Sequence, residues 1–287
     1  PPRSKDELAV VGKSVLRVDG WEKITGAARY TDDLEFGPSL LFAAVVESPY
    51  AHAKIKSIDT SRAEKLHGVV KVVTGRSFTH KFGLYMTDRY VFATDTVRFV
   101  GEQVAAVVAV DAKTALRGAA LVAVKYEELP LVLDPVKALE KNSPLVHPDL
   151  KSYRHVPWFF PQPGTNIAHW RKTRKGDIVK GFKEADLVME DTYTVPRYAH
   201  CAIEPHSVIG LLDGSGRLTM WTSSQSPFTQ RNVFAQALES FGLSHKDVRV
   251  ISPYIGGGFG GKAGVSMEII GAALAMAVPG RPITVVW

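Results

Sequence analysis

The pattern of apolar and polar residues predicts that the first half of the chain alternates between strands and helices. Residues 40–49 and 69–75 are short apolar runs, and residues 101–110 carry a continuous apolar run, as is typical of a strand that is buried on both faces. Asp111 can cap a helix over residues 112–124, where alanine and leucine recur at helical spacing. Further strands are predicted at residues 52–60 and 122–130, and a short helix at residues 61–68.

The second half of the chain predicts a β-hairpin followed by a mixture of helices and strands. Two apolar runs flank the turn residues 213–216, Asp-Gly-Ser-Gly, as in a hairpin. Ser226 before Pro227 is typical of a helix N-terminus, and this helix is predicted to end at Gly242. The apolar run 269–278 predicts a buried helix. Other predicted elements are a short helix capped by Asp177 and strands at residues 187–195, 247–252 and 281–287.

The two halves are joined by a segment that has neither the helical nor the strand periodicity of apolar residues. Residues 136–166 form the predicted linker, and its later part is rich in Pro, His and aromatic residues, so we expect it to pack on a surface. The chain stops at Trp287, inside a predicted strand. Because the sequence stops within a predicted strand, we expect that another polypeptide completes the domain or that the chain is a fragment.

Composition indicates an ordinary globular protein rather than a nucleic-acid-binding or membrane protein. Of the 287 residues, 45% are hydrophobic and 22% are charged, and the net charge is +6 with a pI of about 9.3. The densest basic run, residues 171–177, lacks interleaved aromatic residues and is interpreted as a solvated loop. The apolar run 269–278 is too short to span a bilayer, and no signal-peptide pattern opens the sequence, so a soluble cytoplasmic protein is expected.

A single cysteine, Cys201, limits the metal and redox chemistry of this chain. One cysteine excludes an internal disulfide, a cysteine-ligated iron–sulfur cluster and a multi-cysteine zinc site. Cys201 lies in the cluster His-Cys-Ala-Ile-Glu-Pro-His at residues 200–206, which lacks a metal-ligand spacing, so structural packing beside a cavity is favoured there. No elbow motif for a serine nucleophile is present, and Cys201 has no identifiable base.

The densest glycine motif, Gly256 to Lys262, points to a loop whose backbone bends sharply or approaches a ligand closely. Its spacing matches the phosphate-binding pattern G-x-x-x-x-G-K, but Ala263 follows where a Ser or Thr hydroxyl would bind Mg²⁺. A phosphate-binding loop and a tight turn without a ligand both remain open at this point. Gln225, between a predicted strand and a predicted helix, is a candidate to present its amide to a ligand in the same cleft.

Six segments of the sequence, taken in order, form a pattern that is found in a known family. They are residues 18–34, 48–59, 101–109, 126–130, 223–227 and 256–262. Together they resemble the molybdenum-binding subunit of the xanthine dehydrogenase and aldehyde oxidase family of molybdenum hydroxylases. The resemblance implies an α+β chain, in which an α/β hammerhead domain at residues 15–135 and a linker at 136–166 precede the first part of a molybdopterin-binding domain at 167–287.

The resemblance also implies a molybdenum cofactor and assigns roles to residues of this chain. The pterin dithiolene holds the molybdenum, so no protein ligand to the metal is expected. Gln225 matches the glutamine that contacts an oxygen ligand of molybdenum, and Phe259 would lie beside the metal, so these two are the candidate catalytic residues. The loop backbone that approaches the cofactor matches Gly257, Gly258, Phe259, Gly260 and Gly261.

The implied reaction is hydroxylation of an aldehyde, an N-heterocycle or a related small molecule with oxygen derived from water. Electrons would pass to iron–sulfur clusters and then to FAD on partner subunits. Ala263 stands where xanthine-type members carry a purine-binding glutamate, which makes xanthine a doubtful substrate. The family's general-base glutamate would lie downstream of Trp287, on a chain carrying the rest of the molybdenum domain. The alternatives are a phosphate-loop nucleotide-binding protein and a non-catalytic assembly subunit of such a complex.

Overall fold

The computed structural model describes residues 8–287, and its largest feature is a seven-stranded mixed sheet. The strands of the described residues are β1 (Leu41–Glu47), β2 (Ala53–Asp59), β3 (Val69–Thr74), β4 (Lys81–Phe82), β5 (Arg89–Tyr90), β6 (Thr96–Val97), β7 (Gln103–Ala109), β8 (Ala123–Glu128), β9 (Ser207–Leu212), β10 (Leu218–Thr222), β11 (Val248–Ile251) and β12 (Ile283–Val286). The helices are α1 (Gly20–Thr25), α2 (Ser61–Glu64), α3 (Ala112–Leu121), α4 (Ile178–Glu184), α5 (Pro227–Ala237) and α6 (Glu268–Ala277).

The large sheet is built from both halves of the chain, in the order β11-β10-β9-β12-β1-β7-β3. Strand β12 is parallel to β1, with Leu41 opposite Ile283, and β10 is parallel to β11. The other neighbours are antiparallel. Two smaller sheets lie in the first half, one in the order β6-β2-β8 and one formed by β4 and β5. The mixture of sheet and helix confirms the predicted α+β class.

The hydrophobic core lies between the large sheet and the helices that cover it. Residues 104–109 of β7 are completely buried, which confirms a strand covered on both faces. Eight residues of α6 are buried, because this helix packs on β9 and β10. Full burial of a Leu or Ile side chain contributes about 1.5–3 kcal/mol, so this apolar helix anchors the second half. None of the helices within residues 8–287 is long and apolar enough to cross a membrane.

Most of the elements predicted from the pattern are present, with shortened ends. The Asp111 carboxylate caps α3 by accepting a hydrogen bond from the Thr114 N–H at 2.7 Å, and Asp177 caps α4 through the Lys180 N–H at 3.0 Å. The β9–β10 hairpin turns at residues 213–216, as predicted. The predicted helix at residues 61–68 is only the single turn α2.

Two local predictions are wrong. Residues 187–195 form no strand, because no partner strand in the described part of the chain takes up their backbone groups. Every residue from Arg171 to Cys201 is exposed, so this segment makes little contact with the rest of the described protein. Ser226 precedes α5 but does not cap it through its side chain, because its hydroxyl binds the Ala263 carbonyl instead.

Candidate functional site

Three loops converge at one edge of the large sheet. Strands β10 and β11 are parallel, so their carboxyl ends lie side by side and the loops that follow them start at the same edge. Strand β9 runs antiparallel to β10, with Val208 opposite Thr222, so the segment before β9 reaches this edge as well. The edge therefore brings together residues 200–206, 223–226 and 252–262.

Ser252 joins the two loops that follow the parallel strands. Its hydroxyl donates to the Ser224 carbonyl at 2.7 Å, with the Thr222 carbonyl 3.1 Å away. It also accepts a hydrogen bond from the Ser224 N–H at 3.3 Å. Because Ser224 precedes Gln225, these bonds fix the backbone that carries the candidate glutamine.

Gln225 is oriented by the glycine loop itself. Its Oε1 atom accepts hydrogen bonds from the backbone N–H groups of Gly260 at 3.0 Å and Lys262 at 3.3 Å. Its own N–H donates to the Lys262 carbonyl at 3.0 Å. Two N–H donors can be satisfied only by the oxygen of the amide, so the orientation of the side chain is determined. Within residues 8–287, Nε2 donates to no protein acceptor, and Gln225 is exposed.

The glycines of the loop meet two different physical requirements. Gly257 and Gly260 have φ angles of 102° and 89°, a region that side chains disfavour. Gly256, Gly258 and Gly261 are needed because other groups lie too close for a side chain. A methyl group at these positions would lie 2.5 Å from the Glu204 Cβ, 2.5 Å from the Gln225 Oε1 and 2.8 Å from the His200 Cγ, respectively.

The apex of the loop presents a row of backbone donors. The N–H groups of Gly257, Gly258 and Phe259 donate to no acceptor within the described residues, whereas those of Gly256 and Gly260 are occupied. Successive free N–H groups in a bent backbone form a concave site that suits anionic oxygen atoms. Together with the free amide of Gln225, this donor set fits an oxygen-rich group such as a molybdenum–pterin cofactor.

Phe259 lies at the same apex in a strained conformation. Its φ of 51° is in the left-handed region, which costs a bulky residue about 1–2 kcal/mol. Its side chain is 74% exposed, so no core packing offsets this strain. Strain of this kind is common at functional sites, and the exposed ring stands next to the free donors.

Lys262 is not available to bind a phosphate. Its side chain is 1% exposed, and Nζ donates to the Glu204 Oε2 at 2.9 Å and to the Glu204 carbonyl at 2.8 Å. A phosphate-binding loop requires this lysine to reach the nucleotide, with a helix starting directly after it. Here α6 begins only at Glu268. The geometry therefore argues against the phosphate-loop alternative.

A second buried carboxylate lies behind the loop. Glu268 is 1% exposed, and its Oε1 lies 2.9 Å from the His206 Nδ1, while Oε2 accepts from the Ser266 N–H. Burial opposes ionisation of Glu268, but these hydrogen bonds outweigh it and hold its pKa below the usual value. Within residues 8–287, no group of three or more His, Cys, Asp or Glu side chains is arranged to hold a metal ion.

The first of the six family-like segments also touches the site. Tyr30 forms an isolated parallel bridge with Tyr254, two residues before the glycine loop, and the Lys23 Nζ lies 5.5 Å from the centre of the Tyr254 ring. Arg89 donates to the Val265 carbonyl at 2.7 Å, just after the loop. The first half of the chain thus supports both ends of the loop.

Comparison with known proteins identifies the family. Residues 25–130 match the family described as the a/b hammerhead domain of aldehyde oxidase and xanthine dehydrogenase. Residues 159–287 match the molybdopterin cofactor-binding domain. The chain is 34% identical over 274 residues to a probable xanthine dehydrogenase subunit of Bacillus subtilis, and this match covers 95% of the chain. The chain belongs to the xanthine dehydrogenase and aldehyde oxidase family.

The chain is also similar to family members whose names refer to other substrates. It is 34% identical to the nicotinate dehydrogenase large molybdopterin subunit of Eubacterium barkeri, with 91% of the chain covered. The solved CO dehydrogenase of Oligotropha carboxidovorans has a TM-score of 0.82 and 31% identity, and the match covers 96% of this chain and 35% of the matched CO dehydrogenase chain. The chain spans 34% of the Bacillus relative and 58% of the Eubacterium relative.

The sequence predicts the glycine loop and Gln225 as parts of the site, but it does not predict the contact that Glu204 makes with the loop. The prediction for residues 200–206 was packing beside a cavity, whereas the Glu204 side chain is 9% exposed and forms an ion pair with Lys262. The two residues are 58 positions apart, so no local spacing could reveal the contact. The available signal was the lysine in a glycine-rich loop, since a buried lysine requires a partner.

Proposed function

We propose that this chain forms one side of the molybdenum–pterin site of a molybdenum hydroxylase. The observation that carries the proposal is the set of free donors at the loop apex, the N–H groups of residues 257–259 and the Nε2 of Gln225. They lie on the segments that match the molybdopterin-binding family. A non-catalytic assembly subunit has no observation in its favour.

The roles of the individual residues follow from what each presents. The N–H groups of Gly257, Gly258 and Phe259 would bind oxygen atoms of the cofactor, and the Nε2 of Gln225 would donate to a further oxygen of the same group. Gly260 and Gly261 would keep the loop narrow. The exposed Phe259 ring would form a wall that excludes water and orients the substrate. When bound, the cofactor supplies the two-electron acceptor and the oxygen that is transferred to the substrate.

The general base is proposed to come from outside this chain. The two buried carboxylates near the loop are already engaged, Glu204 with Lys262 and Glu268 with His206. A general base needs a carboxylate free to reach the proton that it removes. The rest of the site, including the base, is therefore assigned to further parts of the molybdenum domain.

We place the hammerhead domain at residues 15–135 and the start of the cofactor domain at 167–287.

The substrate is proposed to be an aldehyde, an N-heterocycle or a related small molecule rather than xanthine. Ala263 follows the loop and is exposed, so this position offers no carboxylate to a purine. Electrons would leave through iron–sulfur clusters on a partner subunit and then reach FAD. The single cysteine of this chain cannot ligate such a cluster alone.

Elemental and pterin analysis of the purified complex tests the proposal. We expect molybdenum and pterin in equal amounts, and turnover in ¹⁸O-labelled water to place the label in the product. The proposal fails if an intact and active complex contains neither molybdenum nor pterin. Unlabelled product from a complex that contains both would refute the hydroxylase chemistry alone.

A further inference from the structure

One residue holds both ends of the glycine loop. At the start of the loop, the Glu204 Oε2 accepts from the Gly256 N–H at 2.7 Å, and the Glu204 N–H donates to the Gly256 carbonyl at 3.1 Å. At the end of the loop, the Lys262 Nζ donates to both the carboxylate and the carbonyl of Glu204, at 2.9 and 2.8 Å. Four hydrogen bonds therefore tie Gly256 and Lys262 to the same residue.

The Glu204–Lys262 contact is too buried to be an ordinary surface ion pair. The side chains of Lys262 and Glu204 are 1% and 9% exposed. The other carboxylate oxygen of Glu204, Oε1, is buried and has no partner among the described residues. The charge of Glu204 is thus compensated by Lys262 through one oxygen, and loss of either partner leaves the other buried without a counter-charge.

The free donors lie between the two tied ends. The apex, residues 257–259, makes no backbone hydrogen bond through its N–H groups within the described chain. Its shape depends on what fixes Gly256 and Lys262, since the Gln225 side chain hydrogen-bonds only to Gly260 and Lys262 within the described loop. Glu204 is the residue that links the start of the loop to its end.

We propose that the Glu204–Lys262 pair is a positioning clamp that holds the glycine loop in the cofactor-binding shape. This inference rests on the proposed function. The clamp acts through the loop backbone, so neither residue need touch cofactor or substrate. A pair that merely stabilises the fold would have the same distances, so the two roles must be separated by experiment.

The test uses the complete enzyme with three variants. Lys262→Met removes the cation but keeps the length of the side chain. Glu204→Gln combined with Lys262→Met removes both charges, so no buried charge is left unpaired and stability should recover towards that of the wild type. Leu218→Ala is the control, because Leu218 is fully buried at the opposite end of β10 from Gln225 and its truncation lowers stability without touching the loop.

The measurements are melting temperature, molybdenum and pterin content, and amide hydrogen exchange in the cofactor-free protein at Gly256 and at residues 260–262, whose N–H groups are hydrogen-bonded. The clamp predicts about 10-fold to 100-fold weaker cofactor retention in both Lys262 variants, as for outer partners of metal sites. It also predicts faster exchange at the loop in the double variant, despite a recovered melting temperature. Leu218→Ala should keep both its cofactor and its loop protection.

Three outcomes would overturn the clamp. The first is wild-type retention in Lys262→Met. The second is recovery of retention together with melting temperature in the double variant, and the third is equal loss in Leu218→Ala. If the wild-type enzyme itself holds neither molybdenum nor pterin, the proposed function fails. The exchange measurement then still decides whether the pair fixes the loop.

Discussion

Replacing Gly258 by alanine separates the geometry of the site from the stability of the fold. Gly258 does not have a positive φ, so alanine fits the backbone. The added methyl group would lie 2.5 Å from both the Cδ and the Oε1 of Gln225, and 2.8 Å from its Cγ. These atoms belong to the outer part of a flexible, exposed side chain, so Gln225 would swing away while the backbone stays in place.

The cost of this displacement follows from the two bonds that Gln225 would lose. Oε1 accepts from Gly260 and Lys262, and a typical hydrogen bond contributes about 0.5–1.5 kcal/mol, so the loop should be destabilised by about 1–3 kcal/mol. The effect on the reaction rate should be larger than this loss of loop stability suggests, because the Nε2 donor of Gln225 also moves. Removal of one preorganised donor from an active site costs about 10²-fold to 10³-fold in rate.

The assay is the reduction of the enzyme by its substrate, followed by stopped-flow absorbance, together with thermal unfolding. Gly264→Ala is the matched control, because a methyl group there meets nothing within 4 Å and the φ angle is ordinary. We expect Gly258→Ala to slow reduction by about 10²-fold with only a small change in melting temperature, and Gly264→Ala to behave as the wild type. Equal reduction rates in the two variants would refute the role of Gln225.

Three further changes test the site and its surroundings. Gln225→Ala should slow reduction to the extent seen for Gly258→Ala, with an unchanged circular dichroism spectrum; undiminished kinetics would exclude the glutamine from the reaction. Gly260→Val should lose molybdenum, because φ is 89° and a branched side chain would project from the loop, so full occupancy would contradict this. Burial and the nearby Arg98 and Lys81 lower the pKa of His147 to about 4, so unfolding takes up a proton below pH 6.5. Wild-type stability should therefore fall between pH 6.5 and about 4, and His147→Gln should flatten that slope in denaturant titrations.

The parts of the fold that the sequence predicts well are those fixed by local chemistry. Asp111 and Asp177 cap their helices, and the turn at residues 213–216 closes its hairpin, because each requires only neighbouring residues. The large sheet could not be predicted in the same way. Its central pairing joins β1 to β12, so that Leu41 meets Ile283, and no local pattern encodes a contact of that range.

The strand predicted at residues 187–195 is absent for a related reason. Alternating apolar residues predict a strand, but a strand requires a neighbour to pair with, and the described residues supply none. Leu187, Met189, Tyr193 and Val195 are all at least 75% exposed. The alternating pattern thus indicates that the segment can pair with another strand, but a strand forms only where such a partner is present.

For the site, spacing pointed to the loop, and both its position in the chain and the resemblance pointed to Gln225. None of these explained why the motif contains so many glycines. The resemblance predicts that the backbone of residues 257–261 approaches the cofactor, and this stays a prediction. In the structure, Gly256, Gly258 and Gly261 lie against Glu204, Gln225 and His200, which come from two other loops. Only the parallel pairing of β10 with β11 and the antiparallel return of β9 bring those loops to one edge. Gly256, Gly258 and Gly261 therefore leave room for side chains of neighbouring loops, and the N–H groups of residues 257–259 are left without an acceptor within the described chain.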